Sequence, residues 1–178
     1  MSDATTHVAA AATPARVTAV GSIAVITGDL SRFRIFYEGL LGLPHVISLR
    51  MGHAPFLVHA VFAIGRNTVL HAFEVPGYDP VADGIGTETG QRGRLDHFAL
   101  LVDDEPALLD LRDRLVAAGA SDGAVTPMGP YLSVPFRDPD GLEGEVTCPN
   151  RRFDPAQADD EVVECSMAPH WTTEFLGR

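Results

Sequence analysis

The chain has 178 residues, 46% of them apolar and 21% charged, enough to build one compact core. That composition excludes disordered and collagen-like classes. A net charge of −11 without a visible basic patch argues against a nucleic-acid partner and weakly favours a neutral or cationic ligand.

Residues 1–16, MSDATTHVAAAATPAR, lack the basic start and apolar run of a signal peptide, and no later stretch approaches a membrane span. A flexible tail and a cytoplasmic protein are expected, with no membrane partner. Cys148 and Cys165 form neither a disulfide framework nor a CxxC clip and read as reduced thiols.

VTAVGSIAVIT (17–27) is β-branched and apolar, as a buried strand should be. Asp29 then supplies an N-cap, and Leu30, Phe33, Phe36, Tyr37, Leu40 and Leu41 recur at helical spacing up to Gly42. HVISLRM (45–51), FLVHAVFAI (56–64) and TVLHAFEV (68–75) follow as strands, the last two joined by the turn Gly65-Arg66-Asn67. The first unit, 17–75, is β-α-β-β-β.

Residues 76–93, rich in Gly, Pro and Asp, read as a linker or a loop over a pocket. The same order of elements then returns over 94–150. RLDHFALLV (94–102) is a strand, Asp103 or Asp104 caps a helix with Pro106 in its first turn, and Leu108, Leu111, Leu115 and Val116 make its buried stripe before Gly119. Short strands near 123–128 and 130–136 lead to the turn Asp138-Pro139-Asp140-Gly141 and the strand LEGEVT (142–147). Residues 151–178 form a C-terminal arm with Met167, Trp171, Phe175 and Leu176 as a packing patch.

The two units keep one offset. Ser22 and His97 are 75 residues apart (97 − 22), and His71 and Glu145 are 74 apart (145 − 71). Strand alternation gives Val69, His71 and Phe73 one face, Leu95, His97 and Ala99 another, and Glu143, Glu145 and Thr147 a third.

SIAVITGDLSRFRIFYEGLLGL, LDHFALLVDD with its helix, and above all FRDPDGLEGEV make the chain resemble the vicinal oxygen chelate superfamily of glyoxalases, ring-cleaving dioxygenases, epimerases, fosfomycin-resistance enzymes and bleomycin-binding proteins, over about residues 17–150. The resemblance implies an α+β fold of two βαβββ modules whose eight strands form a glyoxalase/dioxygenase-like cup around one divalent cation. It places the ligands at His71, His97 and Glu145, with Ser22 fourth. Such a set suits Fe(II) first, and also Mn, Ni, Co or Zn, leaving open positions that a substrate with two adjacent oxygens can chelate. A homodimer is implied as well, with the cup either within one chain or built from modules of two chains.

Two departures from the family pattern steer the expected chemistry. Many members carry histidine where this chain has Ser22, and glyoxalases usually carry glutamate where it has His71. A serine hydroxyl is a poor ligand, so Ser22 is expected either to bond metal-bound water or simply to fill space. Fewer carboxylates favour extradiol-type oxygen chemistry over the proton transfers of a lyase or isomerase. A metal-free protein that sequesters a cationic drug, of the bleomycin-resistance type, is the alternative, and a catalytically dead interaction module is the third possibility.

Tyr131 and Ser133 are expected to hydrogen-bond the substrate, and Arg137 either joins them near the cup or pairs with Asp138 or Asp140 at the surface. Glu143 replaces Glu145 as ligand if the register slips by two. His59 either faces the same cavity or, as the favoured reading, packs in its strand with one backbone hydrogen bond, and His45 and His53 are expected to be exposed beside loops. His170 in the arm is a candidate lid residue.

Overall fold

The computed structural model describes residues 17, 19–52, 54–78 and 97–154. The N-terminal tail, His53, most of the expected linker, and the C-terminal arm beyond residue 154, with Cys165, His170 and its apolar patch, lie outside the described residues.

Strand β1 (Ser22–Thr27) leads into α1 (Leu30–Arg34), which continues as a π-helical segment (Ile35–Leu40). Asp29 caps α1 as expected, its carboxylate accepting from the Ser31 and Arg32 amides at 2.9 and 3.0 Å. Strands β2 (His45–Met51), β3 (Ala54–Ile64) and β4 (Thr68–Glu74) complete the first module. The second module comprises β5 (His97–Leu101), α2 (Glu105–Ala117), β6 (Thr126–Met128), β7 (Tyr131–Arg137) and β8 (Glu143–Pro149). Asp104, not Asp103, caps α2 through the Ala107 amide at 3.0 Å.

Each module folds into a four-stranded sheet, in the orders β1-β4-β3-β2 and β5-β8-β7-β6. The registers match. Ser22 faces Val69 and Ala24 faces His71 in the parallel β1–β4 pair, while His97 faces Glu143 and Ala99 faces Glu145 in β5–β8. The repeat seen in sequence is therefore a repeat of hydrogen-bond register. The first strand is shorter than expected, starting at Ser22 instead of residue 17, and its ladder with β4 begins at the Ser22–Val69 pair.

One buried cluster joins both modules. Phe33, Phe36 and Tyr37 project from the first helix; Phe33 lies 5.6 Å from Phe62 of the first sheet, and Phe36 lies 5.7 Å from Phe136 of the second. Tyr37 also stacks on Phe98 at 6.5 Å. The helix thus sits between the sheets, and each fully buried aromatic or leucine contributes roughly 1.5–3 kcal/mol. Both sheets turn toward it the face carrying Phe62, Leu70 and Ala72, or Phe98, Phe136 and Val146. By alternation, the faces carrying His71, and His97 with Glu145, are turned away from it. Among the described residues no helix is long and apolar enough to cross a membrane.

Candidate metal centre

Edge strand β5 carries His97 and the neighbouring central strand β8 carries Glu145, both on the sheet face away from the helices. His97 Nε2 lies 3.9 Å from Glu145 Oε2, with the two side chains 34% and 13% exposed. That separation exceeds a hydrogen bond. Two adjacent donor atoms on one divalent cation stand roughly 3 Å apart, so these two would hold an ion as neighbouring ligands only after moving closer together than 3.9 Å. An imidazole and a carboxylate, both partly shielded from water, are a donor set that fits a divalent transition metal.

The first module places His71 on β4 at the position equivalent to Glu145, on a face shared with His59 and Phe73. Its ring lies 5.8 Å from that of His59 and 6.2 Å from that of Phe73. His71 does not join His97 and Glu145 within one chain: among the described residues no three His, Cys, Asp or Glu side chains converge on a common point. The chain thus brings together two of the three expected ligands. Ser22 is exposed at the start of β1.

Beside Glu145 the second sheet opens into a cavity of about 330 Å³. Tyr131, Ser133 and Thr147 contribute its hydroxyls, and Ala99, Leu101 and Met128 its apolar wall. Both expected substrate contacts, Tyr131 and Ser133, therefore line the cavity together with Glu145. Glu145 supplies the one charge among these lining residues.

Glu143 has a different task from the one a register slip would give it. Arg137 donates from Nε to Glu143 Oε1 at 3.0 Å and makes a second contact through Nη2. Arg137 and Glu143 are direct cross-strand partners, which draws this pair together and leaves Asp138 and Asp140 to other partners.

Those partners are in the first module, and sequence reasoning missed them. Asp138 and Asp140 are each 6% exposed, not at the surface. Tyr37 donates its hydroxyl to Asp138 Oδ2 at 3.0 Å, while Asp138 Oδ1 accepts from the Asp140 and Leu142 amides. Asp140 Oδ1 accepts from Arg32 at 2.8 Å and from the Gly28 amide at 3.2 Å. Burial pushes the Asp138 carboxyl up to about 6, with backbone and Tyr37 hydrogen bonds opposing and the Asp140 charge adding to the rise. Burial and then the charge of Asp138 raise the Tyr37 hydroxyl as well.

His59 departs from the favoured of its two expected placements. It is 9% exposed, but its Nδ1 has no protein partner, so the expected backbone hydrogen bond is missing. Instead the ring lies stacked 5.0 Å from Phe73 and 5.8 Å from His71. His45 is half-buried, within 2.9 Å of Ser48 Oγ.

Residues 19–146 match the family profile described as the Glyoxalase/Bleomycin resistance protein/Dioxygenase superfamily. Among solved structures the chain is similar to a glyoxylase/bleomycin resistance protein/dioxygenase domain from Frankia sp. EAN1pec, at 22% identity and TM-score 0.58, over 76% of this chain and 100% of that one. A glyoxalase/dioxygenase from Nostoc punctiforme is similar at 24% identity and TM-score 0.56, over 80% and 99% of the two chains. A fosfomycin resistance protein from Listeria monocytogenes, solved with Mn(II) and sulfate, is similar at 15% identity and TM-score 0.53, over 77% and 97%. At these identities the likeness carries the fold alone. No curated protein matches the chain.

Proposed function

The chain belongs to the glyoxalase/bleomycin resistance protein/dioxygenase superfamily, and on that premise we propose that it is a metal-dependent enzyme acting on a small molecule with two adjacent oxygens. Extradiol-type ring cleavage stands ahead of glyoxalase-type lyase or isomerase chemistry. The observation that carries this is the approach of His97 to Glu145 at 3.9 Å beside a cavity whose other walls are apolar or hydroxylic.

In the proposed site His97, Glu145 and His71 hold the cation, Fe(II) by preference and Mn, Ni, Co or Zn as alternatives. The bound cation supplies Lewis acidity and open positions for the paired oxygens of a substrate. Glu145 brings a negative charge that offsets part of the cation's. Leu101 and Met128 offer an apolar surface to a ring and exclude water from it, and the Tyr131 and Ser133 hydroxyls orient polar substituents. A wall whose one charge is a carboxylate suits an uncharged substrate better than an anionic conjugate, which supports a catechol-like ring over a peptide thioester or a phosphonate.

His71 completes the site from a second copy of the chain. Within one chain its face and that of His97 are turned away from the shared core, so a homodimer in which the first module of one copy faces the second module of the other supplies the missing imidazole. A cytoplasmic setting is part of the same proposal and agrees with the free, buried Cys148 thiol.

Elemental analysis of protein purified without chelators tests the proposal. Near-stoichiometric Fe, Mn, Ni, Co or Zn is expected, lost in His97→Ala, together with oxygen uptake on catechols under Fe(II). Metal-free protein that binds a cationic glycopeptide would instead establish the sequestering alternative, which the exposed apolar wall and the carboxylate also accommodate.

A further inference from the structure

Three buried side-chain polar atoms among the described residues lack a hydrogen-bond partner: His59 Nδ1, Ser133 Oγ and Asp140 Oδ2. Asp140 belongs to the clasp between modules and already binds Arg32 and Gly28 through its other oxygen. The other two occupy equivalent places. They are 74 residues apart (133 − 59), the offset that relates His71 to Glu145. In register, His59 faces Phe73 on β4, and Ser133 faces Thr147 on β8, each two residues beyond a proposed ligand. Both therefore lie on the faces that would form the cup.

Buried polar atoms normally pair within the protein, because an unpaired one keeps its desolvation cost with nothing in return. One such atom is an accident of packing. Two at repeat-related positions, in different residue types, on the two faces proposed to enclose a ligand, share a cause. His59 is held by stacking on Phe73 and His71, and a half-turn of the ring would exchange its edge without breaking a hydrogen bond at Nδ1. Ser133 has a hydroxyl rotor and lines the cavity beside Glu145.

We propose that His59 is a substrate-contacting residue, the first-module counterpart of Ser133, and that the two pair with polar groups of one uncharged small molecule from opposite walls of the cup. His59 reaches that molecule only if the cup is one site as proposed above, with the first module of one copy facing the second module of another. Its role differs from that of His71: it stabilises bound substrate and leaves the metal in place. A merely structural histidine behaves otherwise, since its removal changes stability without selectivity.

The test uses catechol as the probe, titrated calorimetrically into the full-length protein as purified, with metal content and melting temperature measured on the same samples. His59→Phe keeps the aromatic stacking and removes the unpaired atom. It is expected to melt about 3 °C higher yet bind catechol about tenfold more weakly, with metal content unchanged. His59→Gln restores a polar group and is expected to recover most of the affinity, while Ser133→Ala weakens binding by a similar factor. Wild-type protein that binds no catechol, unaltered affinity in His59→Phe, or a lower melting temperature with no rescue by His59→Gln overturns the proposal. Failure of the metal-enzyme proposal looks different, as wild-type protein lacking bound metal, and the effect of His59→Phe on catechol binding is read whether or not metal is present.

Discussion

Glu143 and Glu145 lie one pleat apart on the same face of β8, and their surroundings give them opposite tasks. Glu143 is held by Arg137 across the strand pair, whereas Glu145 sits beside His97 and the cavity. Gly144 between them makes room for the core, since a Cβ there would meet the Phe136 ring at 2.3 Å. Glu143→Gln is therefore expected to keep metal affinity within about twofold, while Glu145→Gln loses more than the roughly 10–100-fold typical of a group that only supports a ligand. Competition with a chromogenic chelator measures both, and equal losses would show that the β8 register does not select Glu145. Alternation along the sequence was enough to place both carboxylates on one face. It could not separate them, because Arg137 opposes Glu143 only through the β7–β8 pairing.

At the scale of elements, Asp138-Pro139-Asp140-Gly141 is more than a turn. Its two carboxylates bind Tyr37, Arg32 and the Gly28 amide of the first module, fastening α1 to the second sheet. Local composition identified the turn but not its partners, which lie more than a hundred residues away in sequence. Periodicity likewise located every described strand and both helices, but it missed their ends, the π-helical second half of the first helix, and burial at two places: β1, read as a buried strand, is largely exposed, and Val116, read into the buried stripe of α2, is 45% exposed. The clasp sets a pH dependence. Folding raises the Asp138 carboxyl from 3.8 to about 6, so the folded chain holds a proton between those values that the unfolded chain releases. The group's contribution to stability is thus most favourable below 3.8, falls as pH rises, and reaches its full penalty above about 6, on the order of 3 kcal/mol. Asp138→Asn keeps an acceptor for the backbone amides and removes the titration. In denaturant unfolding between about pH 4 and about pH 7.5, the variant should gain on the wild type as pH rises. Parallel curves would mean that the buried carboxyl titrates normally.

For the whole molecule, the same alternation that places each proposed ligand is silent on which sheet faces which. That was settled by long-range packing: Phe33, Phe36 and Tyr37 fill the space between the two sheets, turning the His71 face and the His97–Glu145 face away from the core between them. Sites assembled from two copies follow a simple rule on mixing. A His71→Ala chain has a sound second module and a His97→Ala chain a sound first module, and each homodimer is defective at both sites. In a mixed dimer one site combines both lesions and the other combines both sound modules. Co-refolding equal amounts should yield half mixed dimers and hence about a quarter of the wild-type metal content and catechol-dependent oxygen uptake, from two proteins that each show almost none. Sedimentation of the wild type at the mass of two chains is the accompanying expectation. If the mixture stays as inactive as its parents while mixed dimers are shown to form, each site draws all its ligands from a single chain, and His71 must reach His97 and Glu145 by a rearrangement of the two modules about the clasp.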